Sequence, residues 1–151
     1  MLIRSATVAD IPVMRALDLA SPFGARWTEA HYYGLFATAD CLKHLVLVAE
    51  KTEAREAVVA YLTASGVGAE WELENIIVSP ETQRKGIARA LIEELLERLR
   101  REGVQRLHLE VRESNQPARA LYARLRFVEG DRRLQYYTSP IEDAIVLSLA
   151  L

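Results

Sequence analysis

A turn rich in backbone donors and positive charge lies between an apolar run that ends at Val78 and a long amphipathic segment. The turn reads Gln83-Arg84-Lys85-Gly86-Ile87-Ala88. A helix that begins here leaves its first backbone N–H groups without intrahelical partners and adds the partial positive charge of its dipole. Gly86 lets a bulky ligand approach the main chain closely. Such a turn binds anions, and a pyrophosphate fits this description.

The order Gln/Arg-x-x-Gly-x-Gly/Ala after a strand resembles the acetyl-coenzyme A motif of the GNAT acetyltransferases. It lacks the Gly-Lys-Ser/Thr ending of the nucleotide P-loop and the three glycines of the dinucleotide fingerprint. The alternative is an ordinary strand-to-helix connection with solvated Arg84 and Lys85. The resemblance implies that acetyl-coenzyme A is the co-substrate and is held by Ile76, Ile77, Val78, Gln83, Arg84, Lys85, Gly86, Ile87, Ala88 and Arg89.

A second stretch, from Leu109 to Tyr122, reads Leu-Glu-Val-Arg-Glu-Ser-Asn-Gln-Pro-Ala-Arg-Ala-Leu-Tyr. It resembles a segment of the bacterial ribosomal protein alanine N-acetyltransferases. The resemblance covers nearly the whole chain and implies protein N-termini as the substrate class. One position departs from the pattern, because Arg126 stands where that group has a glycine. The other matching blocks, in chain order, are Trp27-Thr28-Glu29, Arg133, Tyr136-Tyr137, Pro140 and Glu142-Asp143-Ala144-Ile145.

This resemblance implies a role in catalysis or binding for three residues of the second stretch and for the backbone at Val78. An N-terminal ammonium, with a pKa of ~8, must lose a proton before its nitrogen can attack a thioester. Glu110 is implied as the general base and Tyr122 as the acid that protonates the departing thiolate. The backbone at Val78 is implied as the oxyanion donor, and Asn115 as a contact to pantetheine or a support of the site.

Taken alone, the same residues have simpler interpretations. Glu110 can be a solvated strand carboxylate that pairs with Arg112 or His108. Tyr122 can pack in the core with its hydroxyl tethered, and Asn115 can be only a helix N-cap.

The resemblance also implies the walls of an acceptor slot. The helix after Trp27 and a loop that holds Tyr136 and Tyr137 are expected to enclose the substrate peptide. The alternatives are that Trp27 only covers the core and that the two tyrosines are ordinary strand aromatics.

The elements that must position these residues alternate along the chain. Helical spacing of apolar residues predicts a helix from Ile87 to Arg101 that Gly103 ends, and alternation predicts a strand from Arg106 to Arg112. Asp10, Thr28 and Asn115 are expected to cap three further helices. The other predicted strands are Leu2 to Ala6, Leu45 to Glu50, Ala57 to Ala64, Trp71 to Val78, Phe127 to Leu134 and Asp143 to Leu149, with a hairpin turn at Gly66-Val67-Gly68.

This order predicts an α/β fold in which a mixed sheet carries helices on both faces. The resemblance implies the GNAT acyl-CoA N-acyltransferase fold, with a mostly antiparallel sheet. In that fold the strand before the cofactor turn and the next strand separate to leave a slot for the pantetheine arm. We expect residues 1–151 to form a single GNAT domain.

Composition excludes several other classes of protein. The 151 residues are 50% hydrophobic with a net charge of -2, which gives no basic face for nucleic acid. No run approaches the ~20 apolar residues of a membrane span, so we expect a cytoplasmic protein. Cys41 is the single cysteine and is expected to be buried and inert. His31, His44 and His108 lack paired ligand spacing, so no metal is expected.

These observations predict an N-acetyltransferase whose partner is a protein or peptide N-terminus, with the alanine terminus of a small-subunit ribosomal protein as the target that the resemblance suggests. We expect a monomer or a weak homodimer that does not act on nucleic acid or membranes. Two alternatives stay open. One is acetylation of a small amine such as a polyamine, an aminoglycoside or an amino acid, and the other is a non-catalytic acyl-coenzyme A binding module.

Overall fold

The computed structural model describes residues 1–38, 41–53 and 57–151, so part of the predicted connection from Lys51 to Arg55 lies outside the described residues. Two short 3₁₀ turns cover Val8–Asp10 and Pro80–Thr82. The helices are α1 (Ile11–Ala20), α2 (Glu29–Gly34), α3 (Ile87–Arg101) and α4 (Gln116–Arg124). The strands are β1 (Leu2–Ser5), β2 (Lys43–Lys51), β3 (Ala57–Val67), β4 (Glu70–Val78), β5 (Arg106–Arg112), β6 (Val128–Thr138) and β7 (Ile141–Ala150).

The strands form one sheet in the order β1-β2-β3-β4-β5-β7-β6. Among the strands of the described residues, only the pair β4 and β5 is parallel, and its register covers Glu70–Glu72 against Arg106–His108. Beyond these residues the two strands have no paired register, although the structure describes all of residues 70–112. The sheet therefore opens between β4 and β5, where a separation was expected, and the predicted mixed, mostly antiparallel sheet is confirmed.

Helices cover both faces of this sheet because each helix has one apolar side. Leu91, Leu95 and Leu99 of α3 are fully buried in one core, which also holds Leu107 and Leu109 of β5. Burying each such side chain stabilises the fold by roughly 1.5–3 kcal/mol. The second core lies on the other face and contains Met14 of α1, Tyr32 of α2, and Val48, Tyr61 and Ile77 of the sheet.

A β-bulge at Glu74 changes the direction of side chains along β4. The register shifts between Thr63 and Ala64, so Glu74 is an extra residue between Leu73 and Asn75. Before the bulge Leu73 faces the α3 side, whereas after it the odd-numbered Ile77 faces the α1 and α2 side.

Asp10 is the N-cap residue of α1, as predicted, but its side chain makes no cap hydrogen bond to the helix. The Asp10 carboxylate accepts hydrogen bonds from the Arg4 guanidinium at 2.8 and 2.9 Å and from the Thr7 N–H at 2.8 Å. These bonds occupy the carboxylate, because a charge-assisted bidentate pair is stronger than a cap hydrogen bond. The hydrogen bond from Arg4 is also the main reason that the pKa of Asp10 lies below its ordinary value.

Other differences concern element ends and one side chain. The β3–β4 turn lies at Gly68 and Ala69, slightly later than the predicted turn at Gly66-Val67-Gly68, because β3 continues through Val67. Cys41 is exposed, which corrects the expectation of a buried thiol. Among the described residues, no helix has the length and apolar character needed to cross a membrane.

Candidate active site

A cavity of about 620 Å³ occupies the opening between β4 and β5. Elements from both faces of the sheet line it, since α4 packs on the α3 side while the loop before α2 lies on the other. The cavity therefore passes through the plane of the sheet. Seven of the predicted site residues line it, namely Trp27, Ile76, Glu110, Asn115, Tyr122, Tyr136 and Tyr137.

The predicted cofactor turn lies at the end of β4, where α3 begins. The Ala90 N–H donates to the Gly86 carbonyl at 3.0 Å, so the N–H groups of Ile87, Ala88 and Arg89 precede the first helical hydrogen bond. Gly86 has a φ of 78°, and a Cβ placed on it would meet nothing within 4 Å. The glycine is thus needed for its left-handed backbone, and it leaves open space in front of the helix.

Arg84 and Lys85 extend from this turn into solvent. Arg84 also has a positive φ, of 63°, so the turn contains two left-handed residues separated by one position. The Gln83 amide Nε2 donates to the Val78 carbonyl at 3.3 Å, which ties the turn back to the end of β4. The turn residues do not line the 620 Å³ cavity, and the Ile77 side chain packs into the core on the α1 and α2 side.

Glu110 projects from β5 on the face opposite Leu109 and Val111. Its side chain is 9% exposed, and its Oε1 lies 3.2 Å from Nη2 of Arg133. The alternative interpretation of Glu110, a strand carboxylate paired with Arg112 or His108, does not match the structure, because the cation is Arg133 of β6. Glu110 is thus a nearly buried carboxylate with one exposed counter-ion.

Glu72 of β4 is a second acid at the same place, and the sequence analysis missed it. Its strand position is in register with His108, two residues before Glu110. Burial, and next the hydrogen bond and charge of Glu110, raise the pKa of Glu72 to about 7. The alternation Trp71-Glu72-Leu73 did carry a signal, since it places Glu72 on the face opposite two core residues.

Tyr122 of α4 closes the opposite side of the cavity. It is 5% exposed, and its ring contacts Phe127 edge-on with 5.6 Å between centroids. Burial, helped by nearby Tyr137, raises the pKa of Tyr122 above the ordinary tyrosine value. The hydroxyl is therefore protonated at neutral pH. Tyr122 thus packs in the core and also lines the cavity, and its role as an acid stays a prediction.

Asn115 likewise has two roles in the structure. Its Oδ1 accepts a hydrogen bond from the Ala118 N–H at 3.3 Å, so it is the N-cap of α4, and it also lines the cavity.

Aromatic rings form the outer wall of the cavity. Trp27 stacks on His31 with 4.2 Å between ring centroids. Tyr136 and Tyr137 lie within β6 and not in a loop, which corrects the expected position of these two residues. Their rings meet edge-on at 5.0 Å, and the Arg112 guanidinium lies 4.2 Å from the Tyr137 ring centroid. Burial, followed by the charge of Tyr136, raises the pKa of Tyr137 to about 12.

Arg112 and Glu142 fasten the β6–β7 hairpin to the end of β5. Arg112 Nη1 donates to the Pro140 carbonyl at 3.0 Å and lies 3.3 Å from Oε1 of Glu142. Glu142 also accepts from the N–H and the hydroxyl of Ser114, at 2.7 and 2.9 Å. These contacts hold the hairpin that carries Tyr137 against the cavity.

The loop before α2 is fixed to the end of α1. The Arg26 N–H donates to Asp18 Oδ2 at 2.9 Å, and its guanidinium donates to the carbonyls of Asp18 and Ser21. A Cβ on Gly24 would overlap the Asp18 backbone. The position of Trp27 is therefore set by a buried carboxylate.

A model of the acetyltransferase (GNAT) family matches residues 13–127. The chain belongs to the GNAT acetyltransferase family.

Two relatives of this GNAT protein carry the same name. Over 81 residues it is 48% identical to the [ribosomal protein bS18]-alanine N-acetyltransferase of Escherichia coli (strain K12), an alignment that spans 52% of this chain and 55% of that protein. The enzyme of the same name from Salmonella typhimurium is 41% identical over 103 residues, which span 67% of this chain and 70% of the relative. The chain thus matches little more than half the length of the Escherichia coli relative.

The fold of a solved relative agrees with this GNAT structure. The crystal structure of the ribosomal-protein-S18-alanine N-acetyltransferase from Escherichia coli superposes with a TM-score of 0.82 at 33% sequence identity. The superposition covers 99% of this chain and 92% of the other. The predicted family and the predicted fold are both confirmed.

The donor set of this GNAT site fits a ligand with a pyrophosphate and a long, narrow arm. The α3 N-terminus offers three backbone N–H groups, and Arg84 and Lys85 add two exposed cations. The opening between β4 and β5 offers a channel through the sheet, with Ile76 and Asn115 on its walls. Strand β4 connects the opening to the α3 N-terminus, because it lines the opening and ends just before the turn that leads to α3.

Proposed function

We propose that this protein transfers an acetyl group from acetyl-coenzyme A to the N-terminal amine of a protein, and that the acceptor is the alanine terminus of a small-subunit ribosomal protein. One observation carries the proposal. A nearly buried carboxylate, Glu110, and a buried phenol, Tyr122, line one cavity from opposite faces of the sheet. The names of the relatives supply the acceptor.

The α3 N-terminus is the part that would hold the pyrophosphate of acetyl-coenzyme A. The N–H groups of Ile87, Ala88 and Arg89 point out of the helix start, and Arg84 and Lys85 neutralise charge. Ile76 and Asn115 would flank the arm in the opening between β4 and β5. When bound, the co-substrate supplies the acetyl group as a thioester.

Glu110 is proposed as the proton acceptor of the acceptor amine. A free N-terminus, with a pKa of ~8, is mostly ammonium at neutral pH, so a nearby carboxylate both binds it and removes its proton. Proton transfer by a positioned group contributes roughly 10²–10⁴-fold to a rate. Glu110 suits this role because it faces the acceptor side of the cavity.

Tyr122 is proposed as the proton donor to the departing thiolate. The parent thiol has a pKa of ~8.5, and a buried tyrosine stays protonated well above that pH. The Tyr122 hydroxyl can therefore give up a proton when the thiolate forms. Its location on the α4 side, away from Glu110, keeps the two proton transfers on separate faces of the sheet.

The aromatic wall of Trp27, Tyr136 and Tyr137 is proposed as the acceptor peptide's binding surface. Tyr136 is 47% exposed, so this side of the cavity opens to the protein surface and admits an extended chain. A rigid aromatic surface supplies contact area at low entropic cost.

The test measures thiol release from acetyl-coenzyme A with three acceptors. These are a hexapeptide that begins with alanine, the same peptide with a blocked N-terminus, and a polyamine. We expect turnover with the free peptide alone. Turnover with the polyamine alone would instead assign the protein to small-amine acetylation, and tight co-substrate binding without turnover on any acceptor would indicate a binding module.

Two variants complete this test. Glu110→Gln keeps the shape of the side chain and removes its basicity, so we expect unchanged co-substrate affinity with a rate at least about 100-fold lower. Glu70→Gln is the matched control, because Glu70 lies at the start of β4 with a 63% exposed side chain. Wild-type rates in Glu110→Gln would refute the assigned role.

A further inference from the structure

Glu72 and Glu110 lie on the neighbouring strands β4 and β5 and line the same cavity. Side chains two residues apart on a strand share a face, so Glu110 follows His108, the register partner of Glu72, on one side of β5. We propose that Glu72 is a second catalytic carboxylate of the acceptor site, and that Glu72 and Glu110 act as one base that holds a single shared proton. The inference rests on the proposed function and deepens it.

In the described part of the chain, Glu110 has a nearby cation, whereas Glu72 does not. Arg133 lies 3.2 Å from Glu110, whereas no cation of the described residues lies within 4.0 Å of the Glu72 carboxylate. Two acids thus share one counter-ion, and Glu74, whose Oε1 is buried without a hydrogen-bond partner among the described residues, adds a further acid beside them. This excess of negative charge suits an incoming ammonium.

Two adjacent carboxylates lose their protons as a unit, because the first charge opposes the second. Burial and the hydrogen bond to Glu110 raise the pKa of Glu72, and Arg133 opposes this increase. The shared proton is therefore held near neutral pH, close to the pKa of ~8 of the acceptor ammonium. Two groups with similar pKa values exchange a proton readily in both directions.

Other titratable groups face the pair from each surrounding element. His108 is the register partner of Glu72 on β5, and Tyr136 of β6 has a pKa raised by burial and then by Glu110 and Glu72. His31 of α2 and Arg26 line the far wall of the cavity. The Arg26 guanidinium is bound to backbone carbonyls of the α1 end, so it is not a counter-ion of the pair.

The proposed proton balance is simple. The doubly ionised pair binds the acceptor ammonium and takes one proton from it, which leaves a neutral amine and a pair with one shared proton. The amine nitrogen then forms the new C–N bond as the C–S bond breaks, and Tyr122 gives its proton to the sulfur. The second amine proton and the shared proton of the pair leave to solvent, and one proton from solvent returns Tyr122 to its neutral form, so that the reaction releases one proton in all.

The first experiment is an NMR titration of protein labelled with ¹³C at the glutamate side-chain carboxyl. The Glu72 resonance is assigned by its loss in Glu72→Gln. We expect its midpoint at about 7 in the wild-type protein and at a clearly lower pH in Glu110→Gln. Glu70→Gln is the control and leaves the midpoint unchanged. A Glu72 midpoint that does not respond to Glu110→Gln would overturn the shared proton.

The second experiment is the pH profile of kcat/KM for the alanine peptide. In Glu72→Gln we expect a rate roughly 10-fold lower at pH 7.5 and an acid limb at lower pH than in the wild type, because a lone carboxylate no longer faces a like charge. A lower rate with an unmoved acid limb would indicate a structural role only and overturn the proposal.

The two experiments separate the inference from the proposed function. No turnover with any acceptor would overturn the proposed function and the catalytic role of Glu72 together, whatever the titration gives. Normal turnover with independent titrations of Glu72 and Glu110 would overturn the shared base alone.

Discussion

Glu110 of β5 reaches its counter-ion, Arg133 of β6, across the intervening strand β7. In the register of β7, Arg133 is opposite Ala144 and Glu110 is opposite Val146. The strand residue between them on this side is thus the small Ala144, and the Arg133 guanidinium lies 3.2 Å from the Glu110 carboxylate. An exposed cation on the last strand of the sheet thereby pairs with a nearly buried acid two strands away.

Replacement of this cation should change the pH dependence of the site. We expect Arg133→Met to raise the pKa of Glu72 above about 7, because Arg133 favours ionised carboxylates in the cavity. The acid limb of the kcat/KM profile should move to higher pH while the melting temperature changes little, since the Arg133 side chain is 56% exposed. Arg132→Met, which removes a cation paired with Glu113 at 2.7 Å, is the control. An acid limb that moves equally in both variants would contradict a specific role for Arg133.

The glycine at the α3 N-terminus should matter for coenzyme A binding. We expect Gly86→Ala to lower the free energy of unfolding by about 1 kcal/mol, because alanine is strained at a φ of 78°, and to weaken coenzyme A binding roughly 10-fold by turning the backbone donors away. Gly103→Ala is a close control, since Gly103 has a φ of 77° and equally open surroundings. Calorimetry should give the same affinity for Gly103→Ala as for the wild type, and a similar loss in both variants would argue against a binding role.

Arg126 should be a position where glycine stabilises the protein. Its φ of 71° lies in the left-handed region that favours glycine, and the resemblance noted in the sequence places a glycine at this position. We expect Arg126→Gly to raise the free energy of unfolding by about 0.5–1 kcal/mol. Arg124→Gly, at the last residue of α4, should have the opposite sign, because glycine is a poorer helix former than arginine. Urea unfolding measures both, and a loss of stability in Arg126→Gly would show that its side chain contributes more than its backbone strain costs.

The ion pair of Arg4 and Asp10 should make stability depend on pH. The pKa of Asp10 is lowered in the folded protein, so its contribution is present above the unfolded value of ~3.9 and is lost as the pH falls through the folded value. We expect Asp10→Asn to lower the free energy of unfolding by about 2 kcal/mol at pH 7, with a smaller difference at pH 3. Glu29→Gln, at an exposed pair, should change it by less than about 0.5 kcal/mol. An equal deficit at both pH values would exclude the charge as the cause.

The elements predicted most accurately from sequence are those whose pattern is local. The helix Ile87–Arg101 and the strand Arg106–Arg112 have the predicted bounds, because apolar periods of 3.6 and 2 specify the two structures directly. Gly103 adopts the predicted left-handed conformation for the same reason. The family and the fold followed from motifs placed on these elements.

The errors come from contacts between distant parts of the chain. Asp10 stands at the expected helix N-cap, but its side chain makes no cap hydrogen bond because Arg4 occupies the carboxylate. The end of β6 carries no apolar alternation, since it is an edge strand with exposed side chains, so Tyr136 and Tyr137 were assigned to a loop. The partner of Glu110 could not be found from spacing, because it depends on the order of strands in the sheet. The roles of Glu110, Tyr122 and the cofactor turn stay predictions.

The extra residue in β4 divides that strand into two halves that are out of phase. The half before Glu74 turns Glu72 away from the apolar core, and the half after it turns Ile76 and Val78 toward the α3 side. Deleting one residue between Leu73 and Ile76 would bring the two halves of the strand into phase. In one half, the apolar side chains would then leave the face of the sheet that they now cover, and polar side chains would take their place. The length of this strand is therefore under tighter constraint than its composition. A homologous chain can replace individual residues here more readily than it can lose one.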